Sequence, residues 1–228
     1  MKKIVSLIVV SFIIVISYSQ DTQFKRPNYK KIEKEIKKKK SDFYYQGLFD
    51  RYIQGDSTFT IEEKRYLYYG FSFQDNYSPY GHSEFTDSLG SVLSKDTLTE
   101  VDYNSIIKFS NIILEDNPFD LRALNYLGFS YYKIGNRELE DITFYKTSII
   151  YNAIMSTGDG ISKKMAFSVI YISHEYEIID ALGFSFGGEQ SLVDGGFDYL
   201  KLEENEPGVE GFYFEISRSL NSLGSMFK

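Results

Sequence analysis

Apolar residues recur every third or fourth position through the first two-thirds of this chain, and every second position near its end. The first spacing is that of a helix burying one face, and the second that of a half-buried strand. Tyr29, Ile32 and Ile36 predict an amphipathic helix from Asn28, and Phe43 to Gln54 predicts a second, closed by Gly55-Asp56. Thr60-Ile-Glu-Glu63 has capping-box spacing and opens a third helix, to about Phe71. Gln74 to Gly81 is polar and turn-rich, and a further helix is expected from Glu84 to Leu93. Thr99-Glu-Val-Asp102 caps the next, which Asn117-Pro118 stops, because proline cannot continue a helix. Two more helices follow from Leu121, parted at Gly135-Asn136 and ending near Met155. After the turn cluster Ser156-Thr-Gly-Asp-Gly160 the pattern changes. Phe167 to Ile172 is β-prone, His174 to Leu182 reads as a short helix stopped by Gly183, and Gly187-Gly188 and Gly195-Gly196 mark turns. Phe197 to Leu202 and Gly211 to Ile216 alternate, which predicts an antiparallel hairpin with Glu203 to Val209 as its loop. Gln20 to Arg26 reads as a loose lead-in.

The spacing between Ile106 and Tyr131 is more specific. If Pro118 closes a unit of about 34 residues, the next begins at Leu121. Leu127, Gly128 and Tyr131 then occupy the Leu-Gly-x-x-Tyr slots of a tetratricopeptide repeat, and Phe144 takes the aromatic anchor slot of the second helix. On this register Gly128 is small because the partner helix crosses there. The preceding unit, from Asp87, keeps Leu93 but lacks the Gly and Tyr, so a long superhelix is not expected. The expected fold is mainly α: tetratricopeptide-like helical hairpins, then a small C-terminal α+β element with an antiparallel β-hairpin. Its expected parts are a targeting segment over 1–19, the helical region over 20–156 and the α+β element over 157–228, packed on the helices.

The first helix of such a repeat turns part of its surface to a concave groove. The resemblance puts Arg122, Asn125, Phe129, Tyr132 and Lys133 on that surface, and their spacing places them along one helix side. Arg and Lys suit a carboxylate, Asn suits backbone groups and the aromatics suit apolar contact, so a protein or peptide partner is expected. The competing expectation is that Phe129 and Tyr132 pack under a neighbouring helix or the C-terminal sheet.

Composition narrows this picture. Lys2-Lys3, the apolar run Ile4 to Ile16, and Ser17 and Ser19 before Gln20 have the form of a cleavable export signal. The expected location is therefore periplasmic or extracellular, without stable membrane insertion after cleavage. The chain has no Cys, which excludes disulfides, thiolate metal sites, a Cys nucleophile and a lipid-modified Cys. The net charge of −7 becomes −9 without Lys2 and Lys3, which argues against nucleic acid as a partner. Lys37 to Lys40 is a local basic run at a helix end, where cations complement the helix dipole.

Several short motifs point to chemistry and fail on context. Gly183-Phe-Ser185-Phe-Gly187 has nucleophile-elbow spacing, but a helix is predicted before it and both His residues, His82 and His174, lie upstream. His174 and Glu175 lack a second His at metal-binding distance, and a structural place in the first turn of a helix is expected. Thr157 to Gly160 has one acidic residue where a calcium loop needs several. Gly187-Gly188-Glu-Gln-Ser191 lacks the Lys of a phosphate loop. No catalytic residue, cofactor or metal is expected. The stretch from Tyr66 to Tyr80 is dense in aromatics and reads as core, with a sugar- or peptide-stacking platform as the other reading.

Tyr29-Lys-Lys-Ile-Glu-Lys34, Gly55-Asp-Ser-Thr58, Tyr66-Leu-Tyr-Tyr-Gly70 and Ser78-Pro-Tyr80 form a distinctive series. Asn117-Pro-Phe-Asp-Leu-Arg-Ala-Leu124, Thr157-Gly-Asp-Gly160 and Ser173-His-Glu-Tyr176 continue it. In that order they resemble the bacterial exported proteins grouped as domain of unknown function family 4919. The resemblance covers nearly all of the chain after the leader. It implies a domain with tetratricopeptide-like helices and supplies no activity or site residues. The expected function is an exported, non-enzymatic helical binding module. The alternative is a periplasmic enzyme or carbohydrate-processing accessory with an aromatic cleft.

Overall fold

The computed structural model describes residues 24–81 and 83–226. The targeting segment and His82 lie outside the described residues. Among these, no helix is long and apolar enough to cross a membrane.

The helices are α1 (Tyr29–Ile36), α2 (Tyr45–Ile53), α3 (Ile61–Phe71), α4 (Phe85–Leu93), α5 (Glu100–Asp116), α6 (Leu121–Lys133) and α7 (Arg137–Met155). A 3₁₀ turn at Lys163–Met165 leads to β1 (Phe167–Ser168) and α8 (Ser173–Ala181). Then come β2 (Phe186–Val193), β3 (Phe197–Leu202), β4 (Gly211–Glu215) and α9 (Ser217–Met226). Local chemistry sets the boundaries. Thr60 with Glu63, and Thr99 with Asp102, each form a full capping box, which satisfies two otherwise orphaned N–H groups. The side chains of Asn28, Asp120 and Asn136 accept from the first turns of α1, α6 and α7. Gly135, at φ 77°, makes the left-handed turn that α6 and α7 need between them.

The sheet order is β1-β4-β3-β2. β3 pairs antiparallel with both β4 and β2, and β1 runs parallel to β4. The expected hairpin is thus the centre of a four-stranded mixed sheet rather than a purely antiparallel one. Two expectations about its edges need correction. Gly187-Gly188 lies inside β2, where the register with β3 slips between Phe186 and Gln190, and does not form a turn. The β-prone run Phe167 to Ile172 forms a strand for two residues only. The Val169 N–H still bonds the Glu215 carbonyl, and from Ile170 side chains take over the ladder. The Tyr68 hydroxyl accepts from the Ile170 N–H, and the Ile170 carbonyl accepts from Tyr77 and Ser219.

One hydrophobic cluster runs from Ile32 on α1 through α2, α3, α7 and α8 to Phe214 and Ile216 beside the sheet. A smaller one holds Leu89, Ile106, Ile113 and Ala123 between α4, α5 and α6. The aromatic stretch is core. Tyr66, Tyr68, Tyr69, Phe71 and Tyr77 are buried, and only Tyr80 is substantially exposed. Tyr suits these places better than Phe because its hydroxyl reaches backbone groups the fold leaves over. The Tyr69 hydroxyl bonds the carbonyls of Ala153 and Ser168, and that of Tyr52 bonds the carbonyl of Pro118.

Thr157 to Gly160 is the joint between helices and sheet. Thr157 Oγ1 donates to the Ile154 carbonyl and accepts from the Ser168 N–H, while the Gly160 carbonyl accepts from Tyr213. A Cβ on Gly158 would lie 1.8 Å from the Met165 carbonyl oxygen, so only glycine fits. The described end of the lead-in, from Phe24, is tied down as well. The Lys25 N–H donates to the Ser156 carbonyl, and the buried Arg65 bonds the Lys25 carbonyl.

Candidate functional site

α6 and α7 are amphipathic, so they meet along their apolar sides and leave a furrow between their outer faces. Leu121, Ala123, Leu124, Leu127 and Tyr131 are the buried side of α6. The opposite side borders an open groove of about 460 Å³, and every residue lining it comes from these two helices. Phe129 and Tyr132 on α6 are each 48% exposed, and Phe144 on α7 is 65% exposed. Phe144 therefore does not act as the buried anchor expected from its slot. Among the described residues no helix covers it: α7 packs on α3 with its other face, through Ile149, Ile150, Ala153 and Ile154. Gly128 looks onto Thr143, and a Cβ there would sit 3.4 Å from Thr143 Cγ2, an ordinary contact. The crossing is thus looser than expected.

The five residues singled out on α6 fall into two groups. At one end Lys133 Nζ lies 5.1 Å from the Phe129 ring centre and 5.8 Å from that of Tyr132, and Arg137 stands over Tyr132 at 5.0 Å. At the other end Arg122 Nε donates to Glu177 Oε1 at 3.0 Å. Asn125 Nδ2 reaches Glu177 Oε2 at 3.4 Å and the Tyr151 hydroxyl at 3.2 Å. Glu177 belongs to α8 and is 8% exposed. Burial raises its carboxyl pKa, and Arg122 pulls it partly back. Arg122 and Asn125 are therefore engaged by an internal carboxylate although both remain exposed, and Phe129, Tyr132 and Lys133 face solvent beside them.

The other concentration of titratable groups lies under the sheet. His174 is fully buried, with Nδ1 2.7 Å from the Tyr68 hydroxyl and Nε2 2.9 Å from the Phe119 carbonyl oxygen. Burial lowers its pKa to about 4, so the ring is neutral and structural. What sequence reasoning missed is the pairing of its neighbour Glu175 with Asp198. Burial first, and Asp198 second, hold the Glu175 carboxyl up to about 9. Gln190 Nε2 bridges Glu175 Oε2 at 3.2 Å and Asp198 Oδ2 at 2.7 Å, and the Tyr176 hydroxyl donates to Gln190 Oε1 at 2.6 Å. Nothing in the local sequence signals this pair, because Asp198 arrives from β3, far along the chain. Asp159 is exposed on the joint and accepts from the Ile161 N–H. Ser185 sits between α8 and β2, with a helix before it and a strand after it, the reverse of a nucleophile elbow.

These features define a mostly helical chain with a mixed sheet packed on it and an open aromatic groove between two of its helices. The family model described as Domain of unknown function (DUF4919) matches residues 30–224, and the chain belongs to that family. No curated protein and no solved structure matches it.

Proposed function

We propose that this chain is an exported, non-enzymatic helical module that binds a peptide segment of a protein partner in the groove between α6 and α7. The observation that carries the reading is the exposure of Phe129, Tyr132 and Phe144 around one open furrow. Large apolar rings clustered at the surface lose solvation free energy unless a partner covers them. Lys133, standing over two of the rings, adds a cation for an acidic residue or chain terminus beside the apolar contact. The tetratricopeptide reading of the hairpin is supported by buried Leu127 and Tyr131 and by Gly128 opposite Thr143. The exposed Phe144 stands against it. The export reading rests on the leader pattern of Lys2 to Ser19.

Peptides selected by display on the chain, then titrated calorimetrically, test this proposal. Tyr132→Ala or Lys133→Ala should weaken the selected peptides by about tenfold or more, with melting temperature unchanged. Arg122→Ala is the poorer probe, since it strands the buried Glu177 and lowers stability on its own. Selection of no peptide, or peptides indifferent to Phe129 and Tyr132, would end the groove reading.

A further inference from the structure

We propose that β2 is a second docking edge, which accepts an extended basic segment of a partner protein as a fifth strand of the sheet. β2 ends the order β1-β4-β3-β2, so one side of its backbone pairs with β3 and the other faces no strand among the described residues. Such an edge presents a row of unpaired N–H and C=O groups, a template for another strand. Folded proteins blunt these edges with Pro, with Lys or with a covering loop. β2 contains no Pro and no Lys, and Gly188 through Leu192 are all exposed. The bulge before Gln190 and the Gly195-Gly196 turn bound the free run to Glu189–Val193.

The register states what an added strand would meet. Gln190 and Leu192 lie opposite Leu200 and Asp198, on the face turned toward α8. Leu192 is nevertheless 65% exposed. The cover from α8 reaches only as far as Gln190, which Tyr176 contacts. An apolar side chain on that face of the added strand would cover Leu192. Ser191 and Val193 lie opposite Tyr199 and Phe197 on the other face, where Glu189 bonds Lys201 yet keeps 71% of its side chain exposed. β2 and the turn after it carry two acids, Glu189 and Asp194, whose side chains stay 71% and fully exposed with Lys201 and Lys163 beside them, and they carry no cation of their own, which selects a basic strand over an acidic one. The occupant is therefore an extended segment that alternates basic and apolar residues. This edge is separate from the α6–α7 groove and does not depend on it.

The probe is the acetylated, amidated pentapeptide KVKVK, titrated into the ¹⁵N-labelled chain. Amide shifts should centre on residues 188–193, and the amides of that run that do not bond β3 should exchange with solvent more slowly when the probe is bound. The acidic counterpart EVEVE, and KVKVK with alternate amides N-methylated, should bind about tenfold more weakly or worse. Leu192→Lys, at an exposed position, should weaken the probe similarly while leaving the spectrum of the fold intact. Several outcomes would overturn the proposal. They are no shifts at millimolar probe, equal response to EVEVE, shifts in α6 and α7 instead, or protection, before any probe is added, of those β2 amides that do not bond β3. Concentration-dependent dimerisation through β2 would assign the edge to a second copy and also overturn it.

Discussion

Replacing Glu175 with glutamine should stabilise the protein by an amount that grows with pH. Glu175 is fully buried on α8 against Asp198 and Gln190. Its carboxyl pKa is held up to about 9 from an ordinary 4.5, by burial first and by Asp198 second. The folded chain thus keeps a proton that the unfolded chain releases above 4.5. The stability attached to this group is fully present below that value and is lost as pH climbs toward 9. Within the window each pH unit removes about 1.4 kcal/mol, which amounts to about 3 kcal/mol at pH 7. Glutamine has nearly the same shape, is neutral at every pH and keeps a donor for Asp198, so it abolishes the loss. Urea unfolding of both proteins at intervals between about pH 5 and pH 8 reads the difference directly. The gap between Glu175→Gln and the parent should widen by about 1.4 kcal/mol per pH unit. A gap that stays constant across this range would mean that Glu175 is ionised in the fold, and the reasoning would fail.

His174 works in the opposite direction. Its pKa is lowered from 6.5 to about 4, so the stability it carries is present above 6.5 and is lost as pH falls toward 4. His174→Ala should remove that acid limb while costing about 3 kcal/mol or more at neutral pH, from the cavity and the stranded Tyr68 and Phe119 groups, as read by urea unfolding. Gly128→Ala should raise stability by about 0.5–1 kcal/mol, since its Cβ meets Thr143 only at ordinary contact. Gly128→Leu should cost about 1–3 kcal/mol, and thermal melts of the two variants check both signs. N-terminal sequencing of the protein recovered from fractionated cells should begin near Gln20, and an intact Met1 in the membrane fraction would refute the leader reading.

Most of the helical half could be read in advance because its determinants are local. A capping box lies within four residues, a helix stripe repeats within a turn, and Asn117-Pro118 acts on its own backbone. The strands at Phe197 and Gly211 were readable for the same reason, as alternation within a few residues. β1 and β2 were not. β1 is cut short by hydroxyls from α3 and α9 and from the loop after α3, which no nearby residue announces. The glycines of β2 read as a turn because a bulge and a turn have the same local chemistry.

The site divides along the same line. Spacing alone put Arg122, Asn125, Phe129, Tyr132 and Lys133 on one side of α6, because helix geometry is a property of the segment. Whether each faces solvent depended on what packs beside it. Glu177 comes from α8 to bond Arg122 and Asn125, which stay exposed, while Tyr103 of α5 meets the edge of Phe129 and leaves that ring, like Tyr132, 48% exposed. Likewise His174 as a helix-start residue was local information, but the coupling of Glu175 to Asp198 required α8 and β3 to meet. The leader pattern, the absence of Cys chemistry, the capping of α3 and α5 and the alternation of β3 and β4 were therefore set by sequence alone. Burial, pKa, the parallel β1–β4 pair and the free edge of β2 were decided only by tertiary structure, because each depends on groups that folding brings together from distant parts of the chain.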